Sequence, residues 1–252
     1  MFRPVSFCFL LCCAFWAHAA PAPEPGVYIR EGGSGTLMLK KDSQGNQLFS
    51  LVSVGSGGHC CHLGGKIRNG KAVMEEGGEY ICTVTFVRQA NGIDVQERED
   101  KKSNYISGCH TYCGVRADFH GLYLIPPAGC APSERKQARQ KFQRFYNAKA
   151  YKKALATLRP VFDNCRSALH TLYEEGSIRN DLAVTFHKLG DHRACYAILE
   201  PYAEDAALKD DDIEGYVGFV DRYVYLSTIS AARVNLRLCE RAKEAARQKN
   251  KH

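Results

Sequence analysis

Beyond residue 20 the 252-residue chain has no apolar run approaching the roughly 20 residues that a membrane-spanning helix needs. No integral membrane segment is therefore expected. Gly-x-Ser-x-Gly, His-Glu-x-x-His and any phosphate-cradling glycine loop are also missing; these are the short motifs that mark serine hydrolases, zinc peptidases and nucleotide enzymes. Ser34-Gly35 and Ser56-Gly57-Gly58 read as turns. The net charge of +7 is mostly local. Arg3 stands in the first 20 residues, and residues 241–252 hold five Lys or Arg against one Glu, so the body keeps only about +2. A nucleic-acid partner would need a basic stripe with interleaved aromatics, and the sequence has none. These absences point away from an enzyme, a cofactor and a resident metal.

Residues 1–20 read as a secretory signal. Arg3 gives the positive start, residues 7–16 the apolar run, and Ala17-His18-Ala19 the small-x-small cleavage site. A lipoprotein is the minor alternative at Cys12 or Cys13, but Leu11 stands where processing favours a small residue. The mature chain is expected to be periplasmic or secreted. Nine of its twelve cysteines survive signal removal. In an oxidising compartment they are disulfide candidates first: Cys61, Cys82, Cys109, Cys113, Cys165 and Cys195 above all. Cys61 with Cys82 across neighbouring strands, and Cys165 with Cys195 between helices, are the expected pairs. An odd total leaves one thiol over or pairing outside the chain.

The pattern is α+β, in two domains. Residues 21–131 alternate in short runs broken by turns, which predicts seven or eight antiparallel strands in a small barrel or sandwich: 27–30, 36–40, 47–54, 61–67, 71–74, 80–88, 93–97 and 115–125. Asn69-Gly70 and Asn91-Gly92 are hairpin signals, because tight turns of this kind need positive φ at both central residues. If the barrel closes, the first and last strands are neighbours. Its interior then holds either side chains or one small ligand.

Residues 132–247 change texture to amphipathic helices, with a basic tail at 248–252. Helices are expected at 133–148, 151–164, 168–175, 177–189, 192–203, 213–225 and 227–247. Within them a phrase nearly repeats at an offset of 41 residues. Phe145 aligns with Phe186, Ala154 with Cys195, Leu158 with Leu199 and Pro160 with Pro201. Such self-similarity marks stacked helical hairpins, which commonly hold another molecule. Each proline is expected to end or kink its helix.

The candidate sites follow from this layout. Residues 107–114, Ser-Gly-Cys-His-Thr-Tyr-Cys-Gly, form a loop that cysteines tie and glycines bend; Ser107, His110 and Tyr112 are its contact residues. A stiff loop loses little entropy on docking and suits insertion into a cleft. In the helical half, Tyr146, Arg179, Asn180 and His187 are candidates for a peptide groove, with Asp181 beside them. His59-Cys60-Cys61-His62 has metal-ligand residue types, but neighbours in a strand point to opposite faces, and disulfides explain it better. Asp210-Asp211-Asp212 lacks the EF-hand spacing and reads as the acidic start of a helix.

The helical half resembles the tetratricopeptide repeat superfamily, on Ala154, Leu158 and Pro160 repeated as Cys195, Leu199 and Pro201, with Gly190 at the second hairpin turn. The spacing departs from that family's 34 residues, and Lys149 replaces the first turn glycine. The resemblance implies a protein or peptide partner. The barrel half is similar to small exported lysozyme inhibitors at Ser107-Gly108 and Tyr112, though it lacks their Trp-Thr-Lys segment. That likeness implies a cell-wall hydrolase as the partner and these residues as the inserting loop.

Overall fold

The computed structural model describes residues 23–76, 80–98, 108–170, 174–215, 217–218 and 221–249. The signal segment and Ser107 lie outside the described residues. Eight strands, β1 (Gly26–Arg30), β2 (Gly35–Lys41), β3 (Gln47–Val54), β4 (Cys60–Ile67), β5 (Lys71–Glu76), β6 (Tyr80–Gln89), β7 (Gly92–Glu97) and β8 (Gly121–Leu124), form one antiparallel sheet. Its order is β4-β3-β2-β1-β8-β7-β6-β5. The first and last strands pair, with Ile29 opposite Leu124. Between β4 and β5 the ladder is reduced to one bridge, Arg68 with Lys71. The sheet is a nearly closed barrel.

Alternation builds its core. On β3, Phe49, Leu51 and Ser53 face in while Ser50 and Val52 face out. Leu37, Val84, Ile93, Val95 and Tyr123 join them from other strands, so the interior is filled by side chains. Asn69 and Gly70 have the expected positive φ, 51° and 72°. Asn91-Gly92 does not follow that rule. Gln89 pairs with Gly92, which leaves Ala90 and Asn91 as the turn, and neither has positive φ. Gly92 is needed for another reason: a Cβ there would overlap the Tyr123 carbonyl oxygen. The last strand is also shorter than expected. The Asp118 carbonyl accepts from Ser53 Oγ and Arg30 Nη1, both at 2.8 Å, and its carboxylate accepts from the His120 amide at 3.0 Å. These bonds hold Asp118 and His120 off the ladder, so that β8 begins only at Gly121.

The helical domain contains α1 (Pro132–Asn147), α2 (Tyr151–Asn164), α3 (Gly176–Lys188), α4 (His192–Leu199), the short α5 (Ala203–Ala207) and α6 (Asp210–Glu214), and α7 (Arg222–Lys249). α1 packs on α2, α3 on α2 and α4, and α7 on α3, α4 and α5. The repeated phrase occupies equivalent places. Ala154 and Cys195 are both buried, as are Leu158 and Leu199. The two hairpin turns also match. The Ala150 amide donates to the Phe145 carbonyl at 2.9 Å and the Asp191 amide to the Phe186 carbonyl at 3.0 Å, and Lys149 and Gly190 both have positive φ. This is the six-to-one closure of a helix end.

Elsewhere the helices depart from expectation. α2 runs through Pro160, whereas α4 stops before Pro201, where the Arg179 guanidinium takes the Ile198 carbonyl. A short turn, Arg166–Ala168, stands at the head of the expected 168–175 helix, of which residues 171–173 lie outside the described residues. The last expected pair is instead α6 and one long helix, α7.

Four disulfides form: Cys61–Cys113, Cys82–Cys109, Cys130–Cys165 and Cys195–Cys239. All six cysteines singled out from the sequence are bonded, but neither expected pair exists. Cys61 on β4 and Cys82 on β6 are not neighbours in the sheet, and a short helical turn, Gly108–Tyr112, supplies a partner to one while Cys113 just beyond it bonds the other. Cys165 closes onto the linker, and Cys195 faces α7. Cys60 keeps a free thiol. Four disulfides fit an oxidising compartment, and no described helix is long and apolar enough to cross a membrane.

Candidate functional site

The 108–114 segment is built into the barrel seam. Cys109 ties it to β6 and Cys113 to β4, and the Gly114 amide donates to the Cys60 carbonyl at 2.9 Å. Gly108 is buried, and a Cβ on it would come within 2.5 Å of the Ile81 carbonyl oxygen. Tyr112 packs against the barrel core, while His110 is exposed. The cysteines of the segment tie it to two strands and not to each other.

On α3, two of the groove candidates turn inward. Arg179 is 6% exposed; it pairs with Glu175 at 2.6 Å, donates to the Ile198 carbonyl at 2.9 Å and lies over the Phe162 ring at 4.7 Å. Asn180 donates to the carbonyls of Gly176 and Thr228 and accepts from Asn235 Nδ2 at 2.9 Å. These bonds satisfy buried polar groups and lock α3 to α4 and α7. Both side chains are thus engaged inside the helical packing and not on a groove surface.

Asp181, one residue further, is different. Arg139 of α1 reaches across to it at 3.3 Å and donates to Ser177 Oγ at 2.8 Å. Both partners of the ion pair remain about one-third exposed, at 34% and 33%. Burial pushes the Asp181 carboxyl above the ordinary carboxylate range, and the Arg139 guanidinium opposes this without cancelling it. Tyr146 belongs to the same electrostatic neighbourhood. Its ring stands 5.7 Å from Phe142 and 5.3 Å from Tyr151, and burial first, then Tyr151 and Asp181, raise its phenol. The α1–α3 face thus offers a cation, an anion, a hydroxyl and an aromatic edge. The sequence reading missed Arg139. The signal was Arg135, Arg139, Phe142 and Tyr146 at helical spacing on one face of α1.

His187 ends α3, away from this group, and stands beside His192 at the start of α4. A further cleft of about 430 Å³ separates barrel and helices, lined by Ile29, Leu124, Ile125, Pro126 and Ala168 among others; no lining side chain is ionisable. Comparison with known proteins finds no match: no family model fits the sequence, and no curated protein or solved structure is significantly similar.

Proposed function

We propose that the protein is an exported, non-enzymatic interaction scaffold whose tetratricopeptide-like α1–α3 face holds an extended peptide or protein segment. The observation that carries this reading is Asp181. Its carboxyl is one-third exposed between α1 and α3, paired with the Arg139 guanidinium near Tyr146, and burial raises it above the ordinary carboxylate range despite that pair. Groups held in strained electrostatic surroundings cluster at functional sites. The matched hairpins support the same reading, since stacked pairs of this kind present one continuous face.

The test compares partners captured by the mature wild-type chain with those captured by Asp181→Lys, Tyr146→Ala and the control Lys153→Ala on the exposed side of α2. A partner retained by wild type and the control but lost from both groove variants is expected. Equal capture by all four proteins would end the reading.

The alternative, a hydrolase inhibitor acting through residues 107–114, draws on the double disulfide anchorage of exposed His110. It loses support at Tyr112, whose ring packs onto the barrel. A lysozyme-inhibition assay of the wild type against His110→Ala decides it, and no inhibition by wild type removes it.

A further inference from the structure

We propose that His187 and His192 together bind a divalent transition-metal ion across the α3–α4 turn. The inference is independent of the α1–α3 face. The two imidazoles project from opposite ends of the turn that Gly190 closes, and their ring centres lie 5.6 Å apart with planes inclined at 48°. In each ring Nδ1 is withdrawn from solvent and has no hydrogen-bond partner among the described residues. Buried nitrogens without partners are rare, and an unseen ion or water is a standard reason for them.

The separation suits a metal. An imidazole nitrogen binds zinc at about 2.0–2.1 Å, so an ion faced by both Nδ1 atoms would lie about 3.2 Å from each ring centre, and two such rings 5.6 Å apart would subtend about 120° at it. That is close to the tetrahedral value and well short of a linear arrangement. Two nitrogen ligands favour borderline ions such as Zn²⁺, Cu²⁺ or Ni²⁺ over Mg²⁺ or Ca²⁺. Asp191 Oδ1 is committed to the Ala194 amide at 3.0 Å and is not counted as a ligand.

Only neutral imidazole ligates a metal, and protons compete for the same ring nitrogens. The Lys188 ammonium also repels a cation, which places this site among the modest binders. Affinity should fall as pH drops and the rings take up protons.

Titrating ZnCl₂ into the metal-free mature chain at neutral pH, followed by calorimetry, tests the site. One equivalent is expected for wild type and for His62→Gln, a control on the outer face of β4. His187→Gln and His192→Gln should each weaken binding at least tenfold and abolish the rise in thermal midpoint that zinc gives. Unchanged binding in both variants would overturn the proposal. Should a variant fail to fold, the wild type alone still decides: substoichiometric Cu²⁺ must first broaden the NMR ring signals of His187 and His192. Broadening of other histidines first sinks the site.

Discussion

Lys149 and Gly190 hold the same position in two turns 41 residues apart, with φ of 57° and 79°. A non-glycine residue in left-handed conformation costs about 1–2 kcal/mol. Lys149→Gly should therefore stabilise the protein by about 1 kcal/mol, less the added freedom of the unfolded glycine, and raise the thermal midpoint by about 2–4 °C. Gly190→Ala should lower it by a comparable amount. If neither midpoint moves, the left-handed backbone at these two positions carries no such cost. The two carboxylates Asp181 and Asp118 make opposite pH claims. The Asp181 carboxyl is raised, so its contribution is favourable below the ordinary value of 3.8 and is lost as pH rises through the folded value. Asp181→Asn should accordingly be more stable than wild type at pH 7, with the gap closing as pH falls toward 3.8, in midpoints measured across pH. Burial also pushes Asp118 upward, but the His120 amide and the Arg30 guanidinium outweigh it and hold the carboxyl below its ordinary value. That contribution is present above 3.8 and fades as pH falls through the folded value. A variant that gains stability at Asp181 while losing its partner would tie the residue to function.

Elements differ in how far they could be read ahead. The α2 helix and the inner strands follow directly from periodicity, because alternation on β3 and helical spacing at Ala154 and Leu158 each leave one solution for burial. The close approach of Gly92 to Tyr123 was not legible, since it depends on which strand lies opposite. The same holds for the cysteines. Their number implied disulfides, but pairing is decided by strand order and by which face of α4 turns to α7, and both are long-range facts. Arg179 and Asn180 misled for a related reason: polar residues at the head of a helix look solvent-facing until the third helix that covers them is placed. The Cys195–Cys239 bond is the element-scale test, for it closes a separation of 44 residues and staples α4 to α7. Chain-entropy reasoning assigns a loop of this length about 4 kcal/mol. Replacing both cysteines with serine should reduce stability to denaturant by about 2–4 kcal/mol, and a change under 1 kcal/mol would show that the helices hold together without it.

At the scale of the molecule, two cores are joined by a small set of contacts. Ile29 leaves the barrel strand β1 and packs into the helical core, 3% exposed. The Gly57 amide donates to Asp221 Oδ1 at 2.8 Å, and Cys130–Cys165 ties the linker to the end of α2. Gly33 completes the junction. Its φ is +76°, and a Cβ there would overlap the backbone of Leu169. Backbone on backbone cannot yield as a flexible side chain can, so one added methyl must separate the β1–β2 turn from the helical linker. The unfolding of the wild type should then be a single step, with barrel and helices coupled. Gly33→Ala should lower stability by about 2–3 kcal/mol and split that step, because the helices lose contact with the barrel while the barrel core from Leu37 to Tyr123 is untouched. Far-ultraviolet dichroism near 222 nm reports the helices, and the amide NMR signals of β2 and β3, followed through the same melt, report the barrel. Coincident midpoints in wild type that separate in the variant are the expected outcome. A variant that melts in one step at the wild-type midpoint would mean that the two cores stand independently of this contact.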